Sequence, residues 1–212
     1  MEYTDYLHPE LYAWKIDWKA WSKRFIHPQI LKKDWDAVVE EVGTGTEIYT
    51  WPIFTEEFCQ KIIEEAEHYG KWTVARHENY PTTDFLLKEM GLGDMYMYTL
   101  REYGFQIAKW IWGMTGDVWD KKMEAEVFIA KYSPEAQGHL DSHLDDSDYS
   151  ITLALNDNYE GGGTFYHRQK TLVKAPTGHQ CLFPMPTHKH SGRWIDNGMR
   201  YIIVAFCNKG SL

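Results

Sequence analysis

His143-Leu144-Asp145-Asp-Ser-Asp-Tyr149-Ser-Ile-Thr-Leu-Ala-Leu155 and His190-Ser-Gly-Arg-Trp-Ile-Asp-Asn-Gly-Met-Arg200-Tyr-Ile-Ile-Val-Ala-Phe206 decide how this chain is read. Each couples a polar head to an apolar run of strand character. In an H-x-D triplet, residues i and i+2 of an extended segment point to the same side, so His143 and Asp145 can grip one ion. His190 then comes from a neighbouring strand. Two imidazoles and a carboxylate on one face of a metal leave the other face open, the donor set of non-haem Fe(II) sites. Arg200 follows His190 by ten positions (200 − 190) and heads an apolar strand, where a charge needs a partner. Its guanidinium can hold a carboxylate in a bidentate fork while the other end of the same molecule reaches the metal.

Two registers compete at each end of this pattern. His139-Leu140-Asp141 is a second H-x-D pair just upstream, close to Gly138, and is expected to lie in a loop. His188, two positions before His190, would share the face of His190 in an extended strand.

The pattern and its surroundings resemble the Fe(II)- and 2-oxoglutarate-dependent dioxygenases, and among them the catalytic domain of the collagen lysyl hydroxylases. The similar stretches are Glu78-Asn79-Tyr80-Pro81-Thr82-Thr83-Asp84, Ala154-Leu155-Asn156, Glu160-Gly161-Gly162-Gly163 and Asn197-Gly198-Met199-Arg200-Tyr201-Ile202, in that order along the chain. They cover roughly residues 46–208. The thirteen-residue distance from His143 to Asn156 (156 − 143) matches the family and favours His143 and Asp145 over the upstream pair. The resemblance implies Fe(II) on His143, Asp145 and His190, and 2-oxoglutarate with its far carboxylate on Arg200. It also implies a phenol contact from Tyr132 and a contact from Arg76. Thr152 and Thr164 point inward from their strands and could add hydroxyl contacts, although the animal family differs at both positions. The implied reaction is hydroxylation of C5 of a peptidyl lysine in collagen-like sequences, with release of succinate and CO2. Ascorbate would rescue oxidised iron, and a homodimer is expected.

Three other readings stay open. Collagen prolyl hydroxylases usually place Lys rather than Arg ten positions after the second histidine. A zinc hydrolase would use the same three ligands but leaves Arg200 and Tyr132 unexplained. A non-catalytic jelly-roll binding module leaves the whole triad unexplained.

With 22 basic against 31 acidic residues the net charge is −9, which argues against nucleic acid as a partner and suits a basic peptide. Asp141, Asp146 and Asp148, beside the presumptive ligand Asp145, form an acidic loop that could meet a lysine ammonium. Three cysteines (Cys59, Cys181, Cys207) have no framework spacing, and the last two lie in apolar runs as expected of buried thiols. No apolar run has the length of a membrane span, and the N-terminal residues carry no signal-peptide h-region. Animal members of the family are lumenal proteins of the secretory pathway.

The expected architecture is α+β, a double-stranded β-helix (jelly roll) buttressed by N-terminal helices. Residues 1–45 read as a helical extension and connector, and residues 46–212 as the dioxygenase domain. Apolar spacing predicts one amphipathic helix over 11–26, a polar connector over 34–45 and a strand over 47–54 in which Pro52 marks an edge or an irregularity. A helix capped by Thr55 should end at Gly70. Residues 76–94 read as loop and 95–112 as a second long helix stopping at Gly113. Strands follow at 123–132, 149–155, 163–167, 170–175, 179–184 and 200–207.

Overall fold

The computed structural model describes residues 3–114 and 123–209. Its helices are α1 (Trp18–Phe25), α2 (Glu56–Tyr69), α3 (Gly93–Thr99) and α4 (Phe105–Ile111). Its strands are β1 (Glu40–Glu41), β2 (Tyr49–Pro52), β3 (Thr83–Leu86), β4 (Met123–Tyr132), β5 (Leu140–His143), β6 (Tyr149–Ala154) and β7 (Glu160–Gly161). These continue as β8 (Thr164–Tyr166), β9 (Thr171–Val173), β10 (His179–Pro184), β11 (His190–Gly192), β12 (Ile195–Asn197) and β13 (Arg200–Lys209).

A seven-stranded sheet in the order β1-β2-β10-β6-β13-β4-β3 faces a four-stranded sheet, β5-β11-β8-β9, and β12 pairs with β7. This is the expected jelly roll. Its central strands read as nearly unbroken apolar runs because both their faces are covered. Ile129, Ile151, Leu153, Ile203 and Ala205 pack in one core with helix residues such as Phe58, Ile62 and Leu100. Their neighbours of opposite parity, Phe128, Ala130, Tyr132, Ile202 and Val204, form a second cluster between the sheets. Arg200, of the same parity, therefore faces the interior of the roll.

The expected 11–26 helix is interrupted. A 3-10 segment (Pro9–Lys15) precedes α1, and Asp17 caps the new helix by accepting from the backbone N–H of Ala20 at 2.9 Å. An Asp side chain offers the backbone a competing partner, which restarts the helix there. Leu11, Trp21, Phe25, Ile26 and Ile30 join the same core as the sheet, so the described part of this segment, residues 3–45, packs into the domain. Buried Glu65 ties them down by accepting from Tyr3 Oη (2.6 Å) and the backbone N–H of His8 (2.6 Å). Within the expected connector, Glu40–Glu41 forms β1.

The α2 prediction holds, with Thr55 accepting from the Phe58 N–H and Gly70 in the left-handed conformation. Residues 76–94, expected as loop, contain β3, a short edge strand paired to β4 that its Pro- and Thr-rich neighbourhood conceals. The second long helix is divided into α3 and α4 by a π-helical turn at Leu100–Gly104. Pro52 ends β2 opposite His179 of β10, and β1 pairs no further than Thr50, so among the described residues a strand flanks Pro52 on one side alone. All three cysteines are buried free thiols. No helix among the described residues is long and apolar enough to cross a membrane.

Gly178 is a point where the fold tolerates nothing larger. Its φ is +80°, an added Cβ would stand 2.3 Å from the Phe54 carbonyl oxygen, and its own carbonyl accepts from the N–H of Ile53. Gly178→Ala should lower stability by about 2 kcal/mol or more, since backbone strain and a forced displacement add. The midpoint of urea unfolding measures this, and an unchanged midpoint would show that the turn yields freely.

Candidate active site

The last residue of β5 stands opposite the first of β11, so His143 and His190 are register partners. Asp145 lies two residues past the end of β5, with Leu144 turned outward between them. His143 Nε2 and His190 Nε2 approach Asp145 Oδ1 at 3.2 and 3.6 Å, and the Asp145 side chain is only 2 % exposed. Among the described residues these three form the one metal-competent cluster of His, Cys, Asp and Glu, with candidate ligand atoms all within 4.8 Å.

The other ring nitrogens explain the convergence. His143 Nδ1 lies 2.7 Å from the Asp141 carbonyl and His190 Nδ1 lies 2.9 Å from the His188 carbonyl. A carbonyl can only accept, so each Nδ1 carries a proton, and in a neutral ring Nε2 is then the nitrogen with the lone pair. Burial drives the His190 pKa down to about 4 despite the pull of Asp145, so the ring is neutral near pH 7. Burial pushes the Asp145 carboxyl up, but its contact with His143, the nearby His190 and the Ser150 hydroxyl outweigh this and hold it below the usual range. Ser150 Oγ donates to Asp145 Oδ2 at 2.5 Å, leaving Oδ1 for the cluster. Three acceptor atoms aimed at one point fit a cation, and two imidazoles with a carboxylate suit Fe(II).

Arg200 crosses from the large sheet to the small one. Nη1 donates to the Gly163 carbonyl at 3.3 Å and Nη2 to Thr164 Oγ1 at 3.2 Å. The side chain is buried, and among the described residues no carboxylate pairs with it. Two of its five N–H groups are accounted for, which leaves capacity for a ligand carboxylate. The Tyr132 ring lies 5.8 Å from the guanidinium carbon. Burial raises the Tyr132 phenol to about 12 against the opposing pull of Arg200, so it remains an O–H donor. Asn156 fixes the start of β13 around Arg200. Its Nδ2 donates to the Met199 carbonyl (2.7 Å) and its Oδ1 accepts from the Tyr201 N–H (2.8 Å).

One cavity of about 430 Å3 joins His143, Asp145 and His190 to Arg200, Tyr132, Thr152 and Thr164. Arg76 also lines it. Its guanidinium pairs with Asp84 and, at 2.7 Å, with Glu126, and lies over the Phe128 ring, so two carboxylates already balance its charge.

The competing register is separated from this cluster. Asp141 lies in β5, not in a loop as expected, and its exposed carboxylate faces His139 at 3.4 Å. His188 packs against Tyr166 and Phe183, as His190 does, but it does not join the cluster. Its Nε2 is 2.8 Å from the Thr46 carbonyl, and it lines no part of the cavity. Of the acidic loop, Asp146 lines the cavity, whereas Asp148 Oδ2 accepts from the Lys209 N–H at 2.8 Å. Sequence reasoning passed over Ser150, whose place at the head of an inward-facing row with Thr152 was a usable signal. It also left Tyr80 without a role, and that ring lies 5.1 Å from His143.

The fold is that of the 2-oxoglutarate/Fe(II) oxygenases. It superposes with a TM-score of 0.58 on a viral collagen prolyl hydroxylase from Paramecium Bursaria Chlorella virus-1, at 19 % identity over 81 % of this chain and all of that one. A prolyl hydroxylase from Trichoplax adhaerens gives 0.59, at 14 % identity over 86 % of this chain and 94 % of that one. The chain belongs to the OGFOD2-like domain family, whose model matches residues 2–117. In sequence it is similar to the rat multifunctional procollagen lysine hydroxylase and glycosyltransferase LH3, 32 % identical across 96 % of this chain. The mouse procollagen-lysine,2-oxoglutarate 5-dioxygenase 2 is 33 % identical across 90 % of it. The chain spans 29 % and 27 % of the length of these two relatives.

Proposed function

We propose that this chain is an Fe(II)- and 2-oxoglutarate-dependent dioxygenase that hydroxylates C5 of a peptidyl lysine in collagen-like sequences. The observation that carries the reading is a single cavity holding both a three-acceptor metal cluster and a buried arginine with no carboxylate partner among the described residues. Bound Fe(II) would supply the dioxygen chemistry that couples decarboxylation of 2-oxoglutarate to succinate and CO2 with hydroxylation of the substrate.

The protein's own part is positional. Arg200 and the Tyr132 phenol receive the far carboxylate, with Thr164 orienting the guanidinium and Thr152 lining the path toward the metal cluster. Leu140, Ile202, Val204 and Phe206 keep the space between them apolar and exclude water. Glu78 and Asp146, which line the same cavity, are the acids placed to meet a lysine ammonium. Arg76 is balanced by Asp84 and Glu126, so it opposes that cation little. Within this reading residues 46–212 form the catalytic domain and residues 1–45 an extension built into its core. Ascorbate as reductant of oxidised iron, and a homodimer, carry over from the resemblance of the motifs.

The test is incubation with Fe(II), 2-oxoglutarate, ascorbate and a collagen-like peptide containing both lysine and proline. Mass spectrometry should find one added oxygen on lysine, with succinate formed in step. Oxygen on proline instead would assign the site to a prolyl hydroxylase. Neither oxygen nor succinate would overturn the dioxygenase reading.

A further inference from the structure

A second cavity, about 540 Å3, opens beside the first and shares Asn79, Tyr80 and Leu140 with it. Tyr80 is the partition, packing toward His143 on one side and lining the neighbouring groove on the other. At the far end stands Trp194, 59 % exposed, a large apolar surface that folding leaves in water.

Trp194 is nonetheless held firmly. Its carbonyl accepts from the Gly162 N–H at 2.6 Å, and its indole stacks on His139 with centroids 3.9 Å apart and 21° between planes. A Cβ on Gly138 would lie 2.8 Å from indole Cε3, and one on Gly161 would lie 2.5 Å from the Trp194 carbonyl oxygen. Both glycines are thus needed for the indole to sit where it does. The groove floor is pinned by Gln137, whose Nε2 donates to the Pro81 carbonyl while its Oε1 accepts from Thr83 Oγ1 at 3.4 Å. Among the described residues lining this groove the only acidic or basic side chains, His139 and Asp141, face each other.

We propose that this groove is a subsite for the peptide substrate, in which the Trp194 indole receives a prolyl ring of the segment flanking the target lysine. The inference rests on the peptidyl-lysine reading above and deepens it. A nearly uncharged, aromatic-lined groove of fixed shape selects an apolar, pre-extended segment, and a polyproline II strand enters one at low entropic cost. Continuity with the metal cavity lets one chain occupy both. His139, on which the Trp194 indole stacks, is four residues from His143, about 13 Å at ~3.3 Å per residue. At ~3.1 Å per residue of polyproline II, the proline on Trp194 is roughly four positions from the lysine.

The experiment compares two fluorescent peptides, one with prolines flanking the lysine and one with alanines there. Binding to the parent and to Trp194→Ala, Trp194→Phe and Gly138→Ala is read by anisotropy, and hydroxylation by mass spectrometry. The parent should prefer the proline-flanked peptide, and Trp194→Ala should reduce that preference about tenfold, the scale of one buried ring contact. Trp194→Phe should keep most of it, and Gly138→Ala, which displaces the indole, should lose much of it. Equal preference in parent and Trp194→Ala overturns the subsite, as does an equal loss of affinity for both peptides. If the preference depends on Trp194 but no lysine is hydroxylated, the subsite stands and the lysyl hydroxylase reading falls.

Discussion

Replacing Asp145 with alanine should abolish turnover and Fe(II) retention while the domain stays folded. The carboxylate is the acceptor toward which both Nε2 atoms point, and it contributes nothing to the apolar core. Removing a direct ligand should cost more than the roughly ten- to hundredfold in metal affinity that outer partners of such sites carry. His143→Ala and His190→Ala should behave alike. Ser150→Ala, which removes the hydroxyl holding Asp145 Oδ2, belongs in that outer range. Asp141→Ala, the equivalent change in the neighbouring H-x-D pair, should leave iron content at the parental level because its carboxylate faces His139. Metal analysis with circular dichroism decides the matter. An Asp145 variant that keeps both iron and activity would move the site to His139 and Asp141.

Arg200→Ala should raise the 2-oxoglutarate requirement by about a hundredfold to a few thousandfold while leaving the Fe(II) requirement near that of the parent. Breaking a buried charge pair by removing one member costs about 3–5 kcal/mol, and ~1.4 kcal/mol is tenfold. Arg200→Lys keeps the charge but loses the fork that spans Gly163, Thr164 and a ligand carboxylate, so an intermediate value is expected. Titration of each variant with both ligands separates the two requirements. An Arg200→Ala enzyme with parental dependence on 2-oxoglutarate would remove the arginine from the co-substrate site.

The donor types and their distances along the chain were legible because each rests on local chemistry. Alternation in H-x-D, an apolar strand behind Arg200, and the Thr55 and Gly70 caps of α2 all act within a few residues. The long central strands were legible for the same reason: β4 and β10 have the expected bounds, and β6 and β13 differ only at their ends. The missed elements are short. β3 and β5 have four residues each and β12 has three, too few for periodicity to register, and β11, the strand expected at His190 without bounds, has three.

By itself the sequence determined that two histidines, an aspartate and an arginine would meet in a jelly roll, and that a second H-x-D pair competed with the first. The resemblance, through the distance from His143 to Asn156, favoured the first pair, and the tertiary structure brings that pair to His190 while His139 and Asp141 face each other. Pairing of β5 with β11 sets His143 against His190, and the alternation of side chains then turns Asp145 inward. It also turned His188 to Thr46, paired Arg76 with Asp84 and Glu126, and stacked Trp194 on His139 against Gly138. These outcomes depend on partners from 8 to 142 residues away, such as Asp84 for Arg76 and Thr46 for His188. Spacing along a chain specifies which face a side chain takes. Register between strands and the packing of one sheet on another specify what it meets there.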